Sequence, residues 1–122
     1  MPKTTPLNAE ANALVLIASE AAARRKLAKQ ANVSSGTIPV LSLLVFRHEQ
    51  GKITRPAAVY AAQIANEALI RCRIRQLVAA DLVSLTVRRG RRTLAPTLAG
   101  LGLAAKYYRL LREGRHQITT QD

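Results

Sequence analysis

The sequence predicts a mainly α-helical fold that carries one small β-hairpin. Three observations lead to it. Long stretches free of Gly and Pro, such as Asn8 to Ala31, hold apolar residues at helical spacing. One stretch, Leu82-Val83-Ser84-Leu85-Thr86-Val87, alternates with the period of a strand instead, and a basic turn centred on Gly90 follows it. The 122 residues are 48% hydrophobic but only 3% aromatic, which suits a single domain, 1–122, around one aliphatic core.

Taken in order, residues 1–6 hold two prolines and read as a loose lead-in. A long helix is expected over 8–31, where Leu7, Ala11, Leu14, Val15, Ala18 and Ala22 recur at helical spacing. Arg24, Arg25, Lys26 and Lys29 suit its C-terminal end electrostatically. Residues 32–37 form the clearest loop. Thr37 then reads as an N-cap, with Pro39 in the first turn of a helix over 38–49 that stops at Gly51. Its run Val40-Leu41-Ser42-Leu43-Leu44-Val45-Phe46 is apolar almost all round and marks the central core helix. Thr54 reads as the cap of a helix that has Pro56 in its first turn and reaches about Ile64. The chain breaks near Asn66 and restarts as a helix over 67–80, ended by Asp81. The hairpin is expected as a strand over 82–87, a turn over 88–92 and a return strand over 93–95, ended by Pro96. Thr97 caps a last helix from 98 to about 112, Gly114 closes it, and a polar tail runs to Asp122.

Charge bears on function more directly than fold does. Lys and Arg number 19 against 7 Asp and Glu, a formal net charge of +12. Such a charge opposes compaction and calls for a polyanionic partner, of which nucleic acid is the commonest. It is also concentrated. Between Arg71 and Arg92 stand seven Arg and one Asp, and four of those Arg (Arg88, Arg89, Arg91 and Arg92) flank one glycine. Folding does not require like charges to gather there, whereas phosphates or a narrow minor groove would hold them.

Two short helices, a basic hairpin and a closing helix follow the order of a winged helix-turn-helix. Ile70, Ile74 and Leu77, then Leu82-Val83, then the arginine hairpin, then Pro96-Thr97-Leu98-Ala99-Gly100 resemble the MarR-type winged-helix regulators over about residues 38–112. The resemblance implies a winged helix-turn-helix core over 38–97, with the flanking helices 8–31 and 98–113 used for dimerisation. It implies a homodimeric, sequence-specific transcriptional regulator of double-stranded DNA, with helix 67–80 in the major groove. It also implies a place for a small-molecule effector between subunits, although no residue here specifies one.

The residues support the same division of labour without the resemblance. Ile70, Ile74 and Leu77 fall within about 60° of one another on a helix and form a core stripe. Ala68, Arg71, Cys72, Arg75 and Gln76 fall away from it and, with Glu67 at the start of the helix, form the candidate DNA-facing set. Arg73 lies at the stripe's edge and can reach outward past it. Small residues such as Ala68 let a helix approach base edges, and arginine bonds guanine in bidentate fashion. Thr54 and Arg55, at the start of the preceding helix, are candidate phosphate contacts. The apolar excess on the outer helices, at Leu14, Ile17, Leu101 and Tyr108, is the candidate dimer interface.

Other chemistries find little material. His48 and His116 are far apart with no acidic or Cys cluster beside them, so no metal is expected. There is no nucleophile–base arrangement and no glycine-rich phosphate loop, so neither an enzyme nor a cofactor is expected. The lone Cys72 permits no intrachain disulfide, and no apolar run is long enough for a membrane span. The expected location is therefore cytoplasmic, in association with the nucleoid. A partition, replication or nucleoid-architectural DNA-binding protein of plasmid or phage type would fit the same fold. A basic RNA-binding structural protein fits less well, because there are almost no aromatics on which bases could stack.

Overall fold

The computed structural model describes residues 6–120, in the order α1 (Pro6–Ala31), α2 (Thr37–Glu49), α3 (Pro56–Ala61), α4 (Glu67–Ala79), β1 (Val83–Arg88), β2 (Arg91–Pro96) and α5 (Leu98–Thr120). The helical fold with one hairpin is as the sequence predicts. Most of the lead-in and the last two residues of the tail lie outside the described residues. The expected stop at Gly114 does not occur, because α5 continues through it to Thr120.

The core is aliphatic and centres on α2, whose Ile38, Val40, Leu41, Leu44 and Val45 are all buried. Around it pack Leu27 of α1, Val59 of α3, the Ile70–Ile74–Leu77 stripe of α4, Val83 and Leu94 of the hairpin, and Leu103 and Ala104 of α5. Truncating one of the buried Leu or Ile side chains to Ala would cost about 2–5 kcal/mol. Outside this body, α1 and α5 pack along each other.

Three helices end in one motif, a residue in the left-handed region followed by a backbone N–H that reaches back five residues. Val33 N–H donates to Ala28 O at 2.9 Å, Lys52 N–H to Arg47 O at 3.0 Å and Leu82 N–H to Leu77 O at 2.9 Å. The left-handed residues are Asn32, Gly51 and Asp81. At the third stop Leu82 and Leu77 are both buried, which supplies the hydrophobic contact usual for the motif.

Several caps differ from expectation. Thr37 is the first residue of α2 and Gly36 its N-cap, because the Thr37 hydroxyl turns back to donate to Ser34 O at 2.7 Å. Helix α3 is shorter than the expected 54–64. It starts at Pro56 after Arg55, and Gln63 takes a left-handed φ of 53° that stops it. Asn66 caps α4, its Oδ1 accepting from Leu69 N–H at 2.9 Å. Thr97 caps α5 as expected, accepting from Gly100 N–H at 3.1 Å while donating to Asp81 O at 2.7 Å. That fold-back brings Gly100 against the Leu82 carbonyl, where any Cβ would collide with backbone.

The hairpin is longer and its turn tighter than expected. Register runs from Val83↔Pro96 to Arg88↔Arg91, so only Arg89 and Gly90 form the turn. Both have positive φ, 51° and 74°, the signature of a type I′ connection that matches the strand twist. Thr54 adds an isolated bridge to Leu94 outside β2, with Leu94 N–H donating to Thr54 O at 2.8 Å.

Candidate nucleic-acid interface

The hairpin register sorts the arginines. In a strand, alternate residues point to opposite faces. The face holding Val83, Leu85, Val87, Leu94 and Pro96 also carries Arg92, and it turns toward α3 and α4, where Leu94 and Pro96 are buried. Arg88 and Arg91 are paired across the strands on the other face. The four wing arginines therefore do not form one tip.

On the inner side, a groove of about 340 Å³ separates the wing from α4, with Arg71, Arg75, Tyr60 and Arg92 among its lining residues. Ile74, Val78 and Leu85 supply its apolar part. Arg71 donates to Glu67 Oε1 at 2.8 Å, one turn earlier on the same helix. Tyr60 first, and Glu67 after it, push the Arg71 guanidinium above its ordinary pKa, so it is held charged and partly oriented. Arg75 is exposed beside it, with no carboxylate partner among the described residues.

The outer flank of α4 is occupied differently. Gln76 is half-buried, and its Oε1 accepts from Ser34 N–H at 3.0 Å, so it braces the α1–α2 loop instead of facing outward. Cys72 is exposed one turn before it, 3.8 Å from Gln76 Nε2. Arg73 does not reach outward as expected, because its guanidinium lies over Gly36. Glu67 and Ala68 are exposed at the start of α4.

Thr54 is a correction. It is only 3% exposed, and its Oγ1 accepts from Arg47 Nε at 2.9 Å. It caps no helix and offers no hydroxyl to a phosphate. Arg55, next to it, is exposed. The residue that sequence reading missed is Arg47, which also donates to Ile53 O at 3.1 Å and so clamps the 53–54 segment to α2. Nothing in the sequence around Arg47 singles it out, because its partner lies across a turn.

The candidate dimer residues are divided. Leu14 and Ile17 are 66% and 62% exposed on α1, and Tyr108 is 40% exposed on α5. Leu101 is half-buried against the core. Among the described residues no helix is long and apolar enough to cross a membrane.

No family model matches the chain, and no curated protein matches it. Solved structures do. Mycobacterium tuberculosis RV1404 superposes with a TM-score of 0.74 at 16% identity, over 98% of this chain and 83% of that one. Staphylococcus aureus MepR, a transcription regulator of the multidrug efflux pump MepA, superposes with a TM-score of 0.73 at 16% identity, over 89% of this chain and 79% of that one. The oxidised form of Escherichia coli MarR gives 0.65 at 11% identity, over 98% and 84%. The fold is thus the winged-helix fold of the MarR-type regulators. Within that fold, α3 and α4 are the helix pair and β1–β2 the wing.

Proposed function

We propose that the protein is a homodimeric regulator that binds double-stranded DNA sequence-specifically, laying α4 in a major groove and its wing across the flanking backbone. The observation that carries this reading is the groove between α4 and the wing. Three guanidinium groups, Arg71, Arg75 and Arg92, line it from two separate elements. Nothing in the packing calls for cations there, and like charges gathered on a surface oppose folding. A DNA strand passing between helix and wing would neutralise all three. An S. aureus MepR mutant with the same fold, at a TM-score of 0.67 and 15% identity over 81% of this chain and 72% of that one, was solved bound to an oligodeoxyribonucleotide, which favours DNA as the partner.

The roles divide by mobility. Arg75 is exposed and has no carboxylate partner among the described residues, which suits it to bond guanine O6 and N7. Arg71, held between Glu67 and Tyr60, suits a fixed phosphate or base contact at lower ordering cost. Leu14 and Ile17 supply an apolar surface for a second copy, which would place two α4 helices on one palindrome.

Selection from a random DNA pool tests the reading. The expected outcome is a two-fold symmetric motif. Arg75→Ala should then weaken binding to that motif by about 1–3 kcal/mol and binding to random DNA much less. Diffuse coverage without a motif would mark an architectural or partition protein instead, and preferential capture of RNA would mark an RNA-binding one.

A further inference from the structure

We propose that Gln76 and Arg73 are positioning residues that latch α4 to the end of α1, and that this latch sets which spacing between two DNA half-sites the protein accepts. The inference rests on the homodimeric DNA-binding reading above and names the residues that pass the geometry of the dimer to α4.

Consecutive loop residues are tied to different helices. Val33 N–H donates to Ala28 O in the last turns of α1, at 2.9 Å. Ser34 N–H, the next donor along the chain, reaches Gln76 Oε1 of α4 at 3.0 Å. Ser34 is held from its other side as well. Its carbonyl accepts from Thr37 N–H at 3.0 Å and from the Thr37 hydroxyl at 2.7 Å, and Thr37 is buried at the start of α2. One turn before Gln76, the Arg73 guanidinium lies over Gly36, with Cζ, Nε and Nη2 all 2.5 Å from where a Cβ would stand. Two α4 side chains thus grip residues 34–36 at both ends, and no slack chain separates that grip from α1. Both side chains are half-buried and lie on the flank of α4 away from Arg71 and Arg75.

The chemistry selects the residue at 76. A backbone N–H is met only by an acceptor, so the amide presents its oxygen to Ser34 and leaves its nitrogen toward Cys72 Sγ at 3.8 Å. Glutamate would offer the same oxygen. Leucine, of similar size, would offer none.

The lever this latch controls is long. From Leu14, in the exposed apolar run, to Ala31, α1 extends about 25 Å. Over that length a tilt of about 8° between α1 and α4 moves α4 by about 3.4 Å, the rise of one base pair. Two α4 helices stay about 34 Å apart to within one base pair only if that tilt is fixed. A dimer whose joint flexes would accept several spacings.

The test uses the palindrome from the random-pool selection, the same palindrome with one base pair inserted or removed at its centre, and a single half-site. Wild-type protein should bind the selected spacing about tenfold more tightly than either altered one. Gln76→Leu should cut that preference to about threefold or less, and Gln76→Glu, which keeps the oxygen, should restore it. Gly36→Ala acts from the loop side, because its Cβ displaces the Arg73 guanidinium. Residue 36 has a φ of −68°, so alanine fits its backbone and the helical signal should persist. Gly36→Ala should lower the spacing preference while its half-site affinity stays that of wild type. Full spacing preference in both Gln76→Leu and Gly36→Ala would overturn the proposal. So would a Gln76→Glu variant that behaves like Gln76→Leu, or equal losses by Gly36→Ala on half-site and palindrome. A wild-type selection without a two-fold motif removes the dimeric reading and this inference with it. A palindrome whose spacing the variants read as strictly as wild type removes this inference alone.

Discussion

Tyr107 shows how one residue ties the two outer helices together. It is buried on α5, and its hydroxyl donates to Glu20 Oε1 of α1 at 3.1 Å. Burial first, and the Glu20 carboxylate after it, push its pKa from 10.0 up to about 12. The neutral phenol is thus the form the fold favours. Its contribution is fully present below the unfolded pKa of about 10 and is lost as pH rises through the folded value. Denaturant unfolding of wild type should therefore show a stability decline between about pH 10 and 12 that Tyr107→Phe lacks. Parallel pH profiles for the two proteins would show that Tyr107 is not the linked group. Other single residues show where sequence reading stops. Ile70, Ile74 and Leu77 are found as the buried stripe because helical periodicity depends on backbone geometry alone. Gln76 lies away from that stripe by the same geometry, yet it serves the α1–α2 loop, because a helical wheel does not record which loop covers its flank. Thr54 before Arg55-Pro56 fits a cap or a bridging segment equally well, and Arg47, brought over from α2, decides between them.

At the scale of elements, the boundaries missed are those set by unlikely backbone choices. Helix α3 stops early because Gln63 turns left-handed, a conformation common for Gly, Asn and Asp but not for Gln. The wing turn has the same character. A two-residue type I′ turn favours Asn-Gly, and here it is Arg89-Gly90. Arg89 holds a left-handed φ at a cost that Asn would largely avoid, and it adds a cation where Arg88 and Arg91 already repel. A residue kept against local preference at an exposed tip points to an external partner. Arg89→Asn should accordingly raise stability by about 0.5–1 kcal/mol, read as a higher Tm, while weakening DNA binding at low salt. A gain in both would mean that Arg89 makes no contact with DNA. The turn also decides which arginines work together. Glycine-centred symmetry over 88–92 suggests one tip, whereas a turn of only two residues fixes strand parity and sends Arg92 to one face and Arg88 and Arg91 to the other.

At the scale of the whole molecule, α1 has more apolar surface than its own chain covers. Ala23, Leu27 and Ala28, in its C-terminal half, join the core. Leu14, Val15, Leu16 and Ile17, in its N-terminal half, are all exposed although they occupy consecutive positions around the helix. Consecutive apolar residues cannot all face one neighbour, so α5 alone cannot bury them. A second copy related by a two-fold axis would cover the remainder and fix the distance between the two α4 helices. That distance has to be about 34 Å, one turn of DNA, for both to enter successive major grooves on one side of the duplex. A homodimer is therefore expected in solution without DNA. Leu14→Glu with Ile17→Glu should give monomers by sedimentation. Because both side chains are solvent-exposed within one chain, the helical signal of those monomers should largely persist. Binding to the selected palindrome should fall steeply, since each half-site would be held by one subunit alone. Weak binding to random DNA should survive, because the wing arginines are untouched. A monomeric wild-type protein at tens of micromolar, or a charged variant that keeps full affinity for the palindrome, would remove the outer helices from the function and leave α4 and the wing to act singly.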